Sequence, residues 1–183
     1  YAEGLQHLSR QLGDNGRTVE LVGVDVQRPD EQTLAAARQV LSGHDDDHVV
    51  KLQFLQQSIT DTPLPFSNGY FDAVICCLTL CSVDDPLVAV QEMHRLVRPD
   101  GGTLGYVEHV AAEEPQYHFL EQQQLVLDPW QQRVADNCHL HRYTEETIRQ
   151  QFPPPAVLLQ QERFLVDAMW PVSMQACGVY QKQ

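Results

Sequence analysis

Short apolar runs rich in β-branched residues alternate with longer segments of helical periodicity along the first part of this chain. The predicted strands lie at 19–26, 49–56, 71–77 and 103–108. The predicted helices lie at 1–12, 32–42 and 84–97. Strands and helices in this rhythm are typical of βαβ units, whose strands pair in parallel. The sequence therefore predicts an α/β fold with a doubly wound, mostly parallel sheet.

The pattern changes after Glu108. Residues 113–138 form a Gln-rich segment that is predicted to be helical. Thr144 is expected to cap a further helix, which ends at the proline run 153–155. Two more strands are predicted at about 157–166 and 174–181.

Composition and charge exclude several classes of function. The chain has 183 residues, with 12 Lys and Arg against 25 Asp and Glu and a formal net charge of −13. Non-specific binding to nucleic acid or to an anionic membrane needs clustered cations, which this chain lacks. No apolar run approaches the ~18 residues of a membrane helix. We predict one domain over 1–183 without a nucleic-acid partner, and any membrane association would depend on a segment ahead of Tyr1.

The cysteines do not form a disulfide framework. They are Cys76, Cys77, Cys81, Cys138 and Cys177. An odd count in a chain of this length is typical of a reduced, intracellular protein. A metal set of Cys76, Cys77 and Cys81 is disfavoured because adjacent strand residues point to opposite faces. Core packing and a ligand-lining role both fit Cys76 and Cys81.

A second group of metal-ligating residue types lies further along the chain. Cys138, His139 and His141, with Asp136, have the chemistry of a zinc site. Their spacing is too compressed for one face of a regular helix or strand. We therefore predict no metal and interpret the segment as part of a lid over the acceptor site.

The strand at 19–26 ends in an acidic residue, Asp25. Ligands of open α/β sheets bind beyond the carboxyl ends of the strands, where a carboxylate accepts both ribose hydroxyls. Asp25 is thus a candidate for binding a nucleoside, and the alternatives are a solvated loop acid or a helix N-cap. A dinucleotide oxidoreductase fits Asp25 but not the motifs that follow.

Four motifs in register resemble the class I S-adenosylmethionine-dependent methyltransferases. They are Val-Gly-Val-Asp at 22–25, Leu-Pro-Phe at 64–66, Phe-Asp-Ala-Val at 71–74 and Leu-Val-Arg-Pro-Asp-Gly-Gly at 96–102. The resemblance implies a Rossmann-like sheet of the class I methyltransferase type. It also implies S-adenosylmethionine as the cofactor.

A further set of strings is similar to one subgroup, the microsomal methyltransferase-like thiol S-methyltransferases and their bacterial relatives. These strings lie at 80–83, 106–113, 127–130 and 137–140, and Glu-His-Val-Ala-Ala-Glu within 108–113 is the most specific. The resemblance implies a small-molecule acceptor, with a thiol as one candidate. Residues 113–150 would then be a helical insertion on the acceptor side, acting as a lid.

The resemblance also implies cofactor contacts. Asp25 would bind the ribose hydroxyls and Val26 would lie beside the adenine. Ser58 and Ile59 would flank the adenine. The methionine moiety would be lined by Cys76, Cys77 and Leu78.

On the acceptor side the resemblance places Cys81, Glu108, His109 and the segment 128–141. His109 is the candidate base for a thiol, because its unperturbed pKa lies near neutrality; a structural histidine is the alternative. Asp128 is a candidate to orient the base or the acceptor, and a helix-surface acid is its alternative. An apolar acceptor pocket, or simply core, would be formed by Trp130, Met169, Trp170 and Met174.

One departure from the family pattern leaves two functions open. The Gly-rich loop that should follow the first strand is absent, so we expect the sequence to begin in the helix after it. The missing strand would be central, between the strands that carry Asp25 and Cys76. The sequence therefore predicts either a methyltransferase whose first strand lies outside this sequence, or a catalytically inactive subunit with protein partners in a larger assembly.

Overall fold

The computed structural model describes residues 19–42 and 50–183, so the helix predicted at 1–12 lies outside the described residues. The structure divides into two compact units, one ending at Ile59 and the other beginning at Thr60. Each has its own sheet.

The first unit is a βαβ arrangement. It contains β1 (Val19–Asp25), α1 (Glu31–Ser42) and β2 (Val50–Gln56). The two strands pair in parallel from Val19 opposite Val50 to Asp25 opposite Gln56, so their carboxyl ends lie side by side. Asp30 starts α1, because its Oδ1 accepts a hydrogen bond from the Thr33 amide at 2.7 Å.

The second unit contains a four-stranded mixed sheet with helices between its strands. The elements are β3 (Ala73–Cys77), α2 (Pro86–Leu96), β4 (Thr103–His109), α3 (His118–Val134), α4 (Thr144–Gln151), β5 (Val157–Leu165) and β6 (Met174–Gln181). The strand order is β3-β4-β6-β5, with β3 and β4 parallel and β6 antiparallel to both of its neighbours. The α/β class and the mixed, partly parallel sheet confirm the prediction.

Helix α2 shows how local sequence produces these elements. Asp85 caps its first turn by accepting hydrogen bonds from Leu87 N and Val88 N at 2.9 and 3.1 Å. Pro86 follows as the first helical residue, where its missing N–H costs nothing. The helix then buries one apolar face, which comprises Ala89, Val90, Met93 and Leu96.

Two local predictions are wrong. Thr144 does not cap α4: it is the first helical residue, Tyr143 is the cap, and the Thr144 hydroxyl is buried without a partner among the described residues. The apolar run at 71–77 predicts a strand that is covered on both faces, but the observed strand begins at Ala73 and Ile75 is 73% exposed. Ala73, which shares this face of β3, is exposed as well.

Among the described residues, no helix is both long enough and apolar enough to cross a bilayer.

The core of the second unit is formed by residues from its strands, its helices and the segments that connect them. The most buried apolar side chains include Leu80, Leu104, Leu140, Ile148 and Met174.

Candidate functional site

The first unit places Asp25 at the carboxyl end of β1. Its side-chain Oδ1 accepts a hydrogen bond from Gln27 N at 2.8 Å, and its carbonyl accepts one from Gln57 N at 3.0 Å. These contacts fix the turn after β1 against the end of β2. A carboxylate offers about four acceptor positions, so an exposed Asp25 retains capacity for two ribose hydroxyls.

The other predicted adenine contacts of this unit lie at the same edge. Val26 follows Asp25 directly and is 59% exposed. Ser58 and Ile59 come two and three residues after β2 ends, and both are half-buried. The parallel pairing of β1 and β2 therefore brings Asp25, Val26, Ser58 and Ile59 to one end of one sheet.

In the second unit, the chain leaves β3 through a turn at Leu78. Leu78 has a φ of +50°, a left-handed conformation that is uncommon for a residue with a side chain. Its amide donates to Val107 O at 2.9 Å, which ties the turn to β4. Leu78 is exposed and Cys77 is half-buried, so both are accessible at the carboxyl end of β3.

Glu108 organises the turn after β3 from the neighbouring strand. Its Oε1 accepts hydrogen bonds from Thr79 N at 2.8 Å and Leu80 N at 3.1 Å, and its Oε2 accepts one from Cys81 N at 3.3 Å. The side chain is fully buried. Three backbone donors are satisfied by this one carboxylate, which therefore fixes the path of residues 79–81.

The Cys76 thiol points to the same carboxylate. Cys76 is buried, and its Sγ donates to Glu108 Oε1 at 3.0 Å. Burial, and then the negative charge of Glu108, raise the pKa of this thiol well above its ordinary value. Cys76 therefore stays protonated, and its thiol is committed to Glu108.

His109 lies at the end of β4 against Cys138. The two side chains are 2% and 8% exposed, and His109 Nε2 is 3.0 Å from Cys138 Sγ. His109 Nδ1 is also buried and has no partner among the described residues. The histidine is therefore an interior residue, with one nitrogen paired to sulfur.

Cys81 completes a cluster with these two residues. The potential ligand atoms of Cys81, His109 and Cys138 all lie within 4.8 Å of one another. A hydrogen bond from Cys81, and then the interaction with His109, lower the pKa of Cys138 to about 4, while the pKa of Cys81 is raised. Cys81 is therefore placed to donate a hydrogen bond to Cys138.

Asp128 supports the segment that carries Cys138. Its Oδ1 accepts a hydrogen bond from Leu140 N at 2.5 Å, and its Oδ2 accepts one from Gln132 Nε2 at 2.5 Å. His139 Nδ1 lies 3.7 Å from Oδ2. Asp128 therefore positions the turn around Cys138.

Arg142 is a positioning residue that the sequence interpretation missed. Its Nη1 donates to Leu80 O at 2.6 Å and to Val83 O at 2.7 Å. The Arg142 carbonyl in turn accepts a hydrogen bond from Ala111 N at 3.0 Å. No sequence signal marks this arginine, because its partners are main-chain carbonyls about 60 residues away.

The metal set considered from the sequence does not assemble. His139 faces Asp128, and His141 Nε2 lies 3.6 Å from Glu121 Oε1. Among the described residues, the group of metal-ligating side chains that do lie close together contains Cys138 but no other member of that segment.

The residues predicted to form either the wall of an acceptor pocket or part of the core differ in their burial. Met174 is buried and belongs to the core, whereas Trp130 and Trp170 are both more than half exposed. Core packing is therefore wrong for the two tryptophans. Trp170 Nε1 instead donates to Gln123 Oε1 on α3 at 3.1 Å.

Comparison with known proteins identifies the kind of domain. Residues 3–104 match the family model described as a methyltransferase domain. The chain is 41% identical over 78 residues to the human thiol S-methyltransferase TMT1B, an alignment that covers 43% of this chain and 31% of that protein. The chain therefore spans about a third of the length of the curated relatives it matches.

Two solved structures show the same fold at low sequence identity. A SAM-dependent methyltransferase from Methanosarcina mazei aligns with a TM-score of 0.60 and 16% identity, covering 89% of this chain and 82% of that one. The N-methyltransferase NodS from Bradyrhizobium japonicum, in complex with S-adenosyl-L-homocysteine, gives a TM-score of 0.54 and 13% identity, with coverage of 99% and 85%. The Rossmann-like fold is confirmed, and S-adenosylmethionine is the cofactor that these similarities support.

Proposed function

Because the chain belongs to the methyltransferase domain family, we propose that it transfers the methyl group of S-adenosylmethionine to a small-molecule acceptor. The observation that carries the proposal is Asp25 at the carboxyl end of β1, exposed beside Val26 and next to the end of β2. This is where open α/β sheets bind nucleosides. No comparison supports the alternative of an inactive structural subunit.

The residues of the first unit suit the adenosine half of the cofactor. Asp25 would accept the ribose hydroxyls, while Val26, Ser58 and Ile59 would contact the adenine. For the second unit, taken by itself, contacts of Leu78 and Cys77 to the methionine moiety remain predictions from the resemblance, and the Cys76 thiol is unavailable for such a contact because it donates to Glu108. When bound, S-adenosylmethionine would supply a methyl group on a sulfonium, the electrophile of the reaction.

A thiol is the acceptor that we propose to test first. The thiol S-methyltransferase relative supports this class of acceptor. A thiolate lone pair attacks the methyl carbon as the carbon–sulfonium bond breaks, which yields a thioether and S-adenosylhomocysteine. The protein must align the two reactants, exclude water and accept the thiol proton.

His109 is our candidate to accept that proton, and Asp128 is the residue that positions the neighbouring segment. The buried Nδ1 of His109 has no partner among the described residues and is the available acceptor atom. Residues 113–150, which contain α3 and all of α4 except its last residue, would act as the lid over the acceptor. If His109→Gln loses the acid limb of the pH–rate profile, the result supports His109 as the base. An acid limb that is unchanged in this variant would refute that role.

Calorimetric titration of S-adenosylmethionine into the protein tests the cofactor site directly. We expect micromolar binding that Asp25→Asn weakens at least tenfold. Asp167→Asn, which removes the same charge from an exposed acid of the second unit, should bind normally. Folded protein that binds no cofactor would contradict the proposal.

The acceptor class requires a separate assay. S-adenosylhomocysteine production would be compared over a panel of small alkyl thiols and the matching alcohols. A rate above background with thiols alone supports the thiol assignment. If the protein binds the cofactor and methylates another class of acceptor, the methyltransferase proposal stands and the thiol assignment is refuted.

A further inference from the structure

Three side chains from separate segments meet inside the second unit. Cys81 lies in the turn after β3, His109 ends β4, and Cys138 follows α3. Their potential ligand atoms lie within 4.8 Å of one another, with His109 Nε2 at 3.0 Å from Cys138 Sγ. We propose that Cys81, His109 and Cys138 bind a zinc ion.

The donor set selects the metal. Two thiols and one imidazole are the soft and borderline ligands that zinc takes, whereas calcium and magnesium require oxygen. Zinc–sulfur bonds of about 2.3 Å and zinc–nitrogen bonds of about 2.0 Å put tetrahedral ligand atoms roughly 3.5–3.8 Å apart. The His109–Cys138 pair reaches that separation if it opens by about half an ångström, and the other two pairs lie within 4.8 Å.

Burial favours a cation at this position. Cys81 and His109 are each 2% exposed and Cys138 is 8% exposed, so the cluster is almost removed from water. A thiolate in such surroundings is poorly solvated unless it is paired. The two positive charges of a zinc ion would balance the two cysteine thiolates bound to it.

The protein scaffold holds the ligands in position without the metal. Cys81 N donates to Glu108 Oε2 at 3.3 Å, and Cys81 O accepts a hydrogen bond from His139 N at 2.8 Å. The second contact joins the segment of Cys81 directly to the residue after Cys138. Ligands fixed by such outer contacts lose little freedom when the metal binds.

Three protein ligands leave one tetrahedral position, which water or another small ligand would take. The inference does not depend on the proposed function, because metal content is independent of turnover. The two proposals give His109 alternative roles: bound to zinc it is a ligand without a free lone pair, and only a metal-free His109 can act as the base, so the zinc content of the protein decides between them. A Cys81–Cys138 disulfide is the competing chemistry, although both cysteines are free in the structure.

Elemental analysis of the full chain, purified without chelator and under reducing conditions, tests the assignment. We expect about one zinc per chain, a single site of the Cys₂His type. Cys81→Ser and Cys138→Ser should each lower the zinc content at least fivefold. Cys177→Ser, which alters a free cysteine on β6 outside the cluster, should leave it unchanged.

Cobalt substitution provides a test that needs no variant. Protein stripped of metal and titrated with Co²⁺ alone should develop a thiolate-to-cobalt charge-transfer band that saturates at one equivalent, and added Zn²⁺ should abolish it. Folded wild-type protein that holds no zinc and gives no such band would overturn the proposal. Equal zinc content in the Cys81→Ser, Cys138→Ser and Cys177→Ser variants, or a Cys81–Cys138 disulfide in the isolated protein, would also overturn it.

Discussion

Two carboxylates end parallel strands in this molecule, and their surroundings are opposite. Asp25, at the end of β1, is exposed and accepts one hydrogen bond from a neighbouring turn. Glu108, near the end of β4, is fully buried and accepts four hydrogen bonds, from Cys76, Thr79, Leu80 and Cys81. The same topological position thus carries the proposed ligand-binding residue in one unit and a structural support in the other. Burial and the number of donors already satisfied distinguish the two roles.

The largest effect is expected at Glu108. Glu108→Ala would leave three backbone amides buried without an acceptor, and we expect a loss of about 3–5 kcal/mol in the free energy of unfolding. Urea denaturation measures it. Glu108→Gln, which keeps the volume and one acceptor oxygen, should lose less. A loss below 1 kcal/mol in Glu108→Ala would show that the turn at 79–81 does not need this carboxylate.

A third carboxylate, Glu92 on α2, sharpens the comparison through pH. Hydrogen bonds from Arg95 and Leu64 N lower the pKa of Glu92, with the Arg95 side chain as the largest cause. A lowered folded pKa means that the stabilisation is present above the unfolded pKa of about 4.3 and is lost as pH falls through the folded value. The free energy of unfolding should therefore decline below about pH 5, and Glu92→Gln should show a shallower decline. If the free energy of unfolding falls with the same slope in the wild type and in Glu92→Gln, Glu92 does not contribute to the pH dependence.

A substitution at Cys76 tests the hydrogen bond that its thiol donates to Glu108. Cys76→Ala removes one donor to Glu108 and leaves a small gap in the core, and we expect a loss of about 1 kcal/mol. Chemical denaturation against the wild type measures it. Cys77→Ala, at the half-buried neighbouring position, is the matched control and should change stability less.

The smallest stability effect is expected at Asp25. Asp25→Asn should change the free energy of unfolding by less than about 0.5 kcal/mol, because surface substitutions away from special features are nearly neutral. The same variant should lose cofactor binding at least tenfold. A destabilised Asp25→Asn with normal binding would reverse the proposed assignment of roles to the two carboxylates.

The secondary structure of the described residues was predictable because it depends on local pattern. The run of β-branched residues before Asp25, and the Asp85-Pro86 start of α2, specify a strand and a helix within a few residues of their observed bounds. The cap at Thr144 was not predictable in this way. Its hydroxyl is buried by tertiary packing, which overrides the local preference of threonine for the cap position.

The candidate site was predictable only in part. The resemblance of the motifs nominates seven cofactor contacts, and the structure places them at the carboxyl ends of their strands: Asp25, Val26, Ser58, Ile59, Cys76, Cys77 and Leu78. The Cys76 side chain is the exception among them, because its thiol is buried against Glu108. The triad of Cys81, His109 and Cys138 was not nominated as a metal set. Its members are separated by 28 and 29 residues, and no spacing rule for a single helix or strand relates them.

The sequence by itself determined the order of strands and helices, the α/β class and the acidic residue at the end of β1. These follow from periodicity and from side-chain chemistry, which are properties of neighbours along the chain. Only the tertiary structure decided that Glu108 is a buried support, that Arg142 spans two carbonyls, and that two cysteines and a histidine meet. Each of these depends on which distant segments exclude water from one another, and burial sets both the charge state and the role of a polar group.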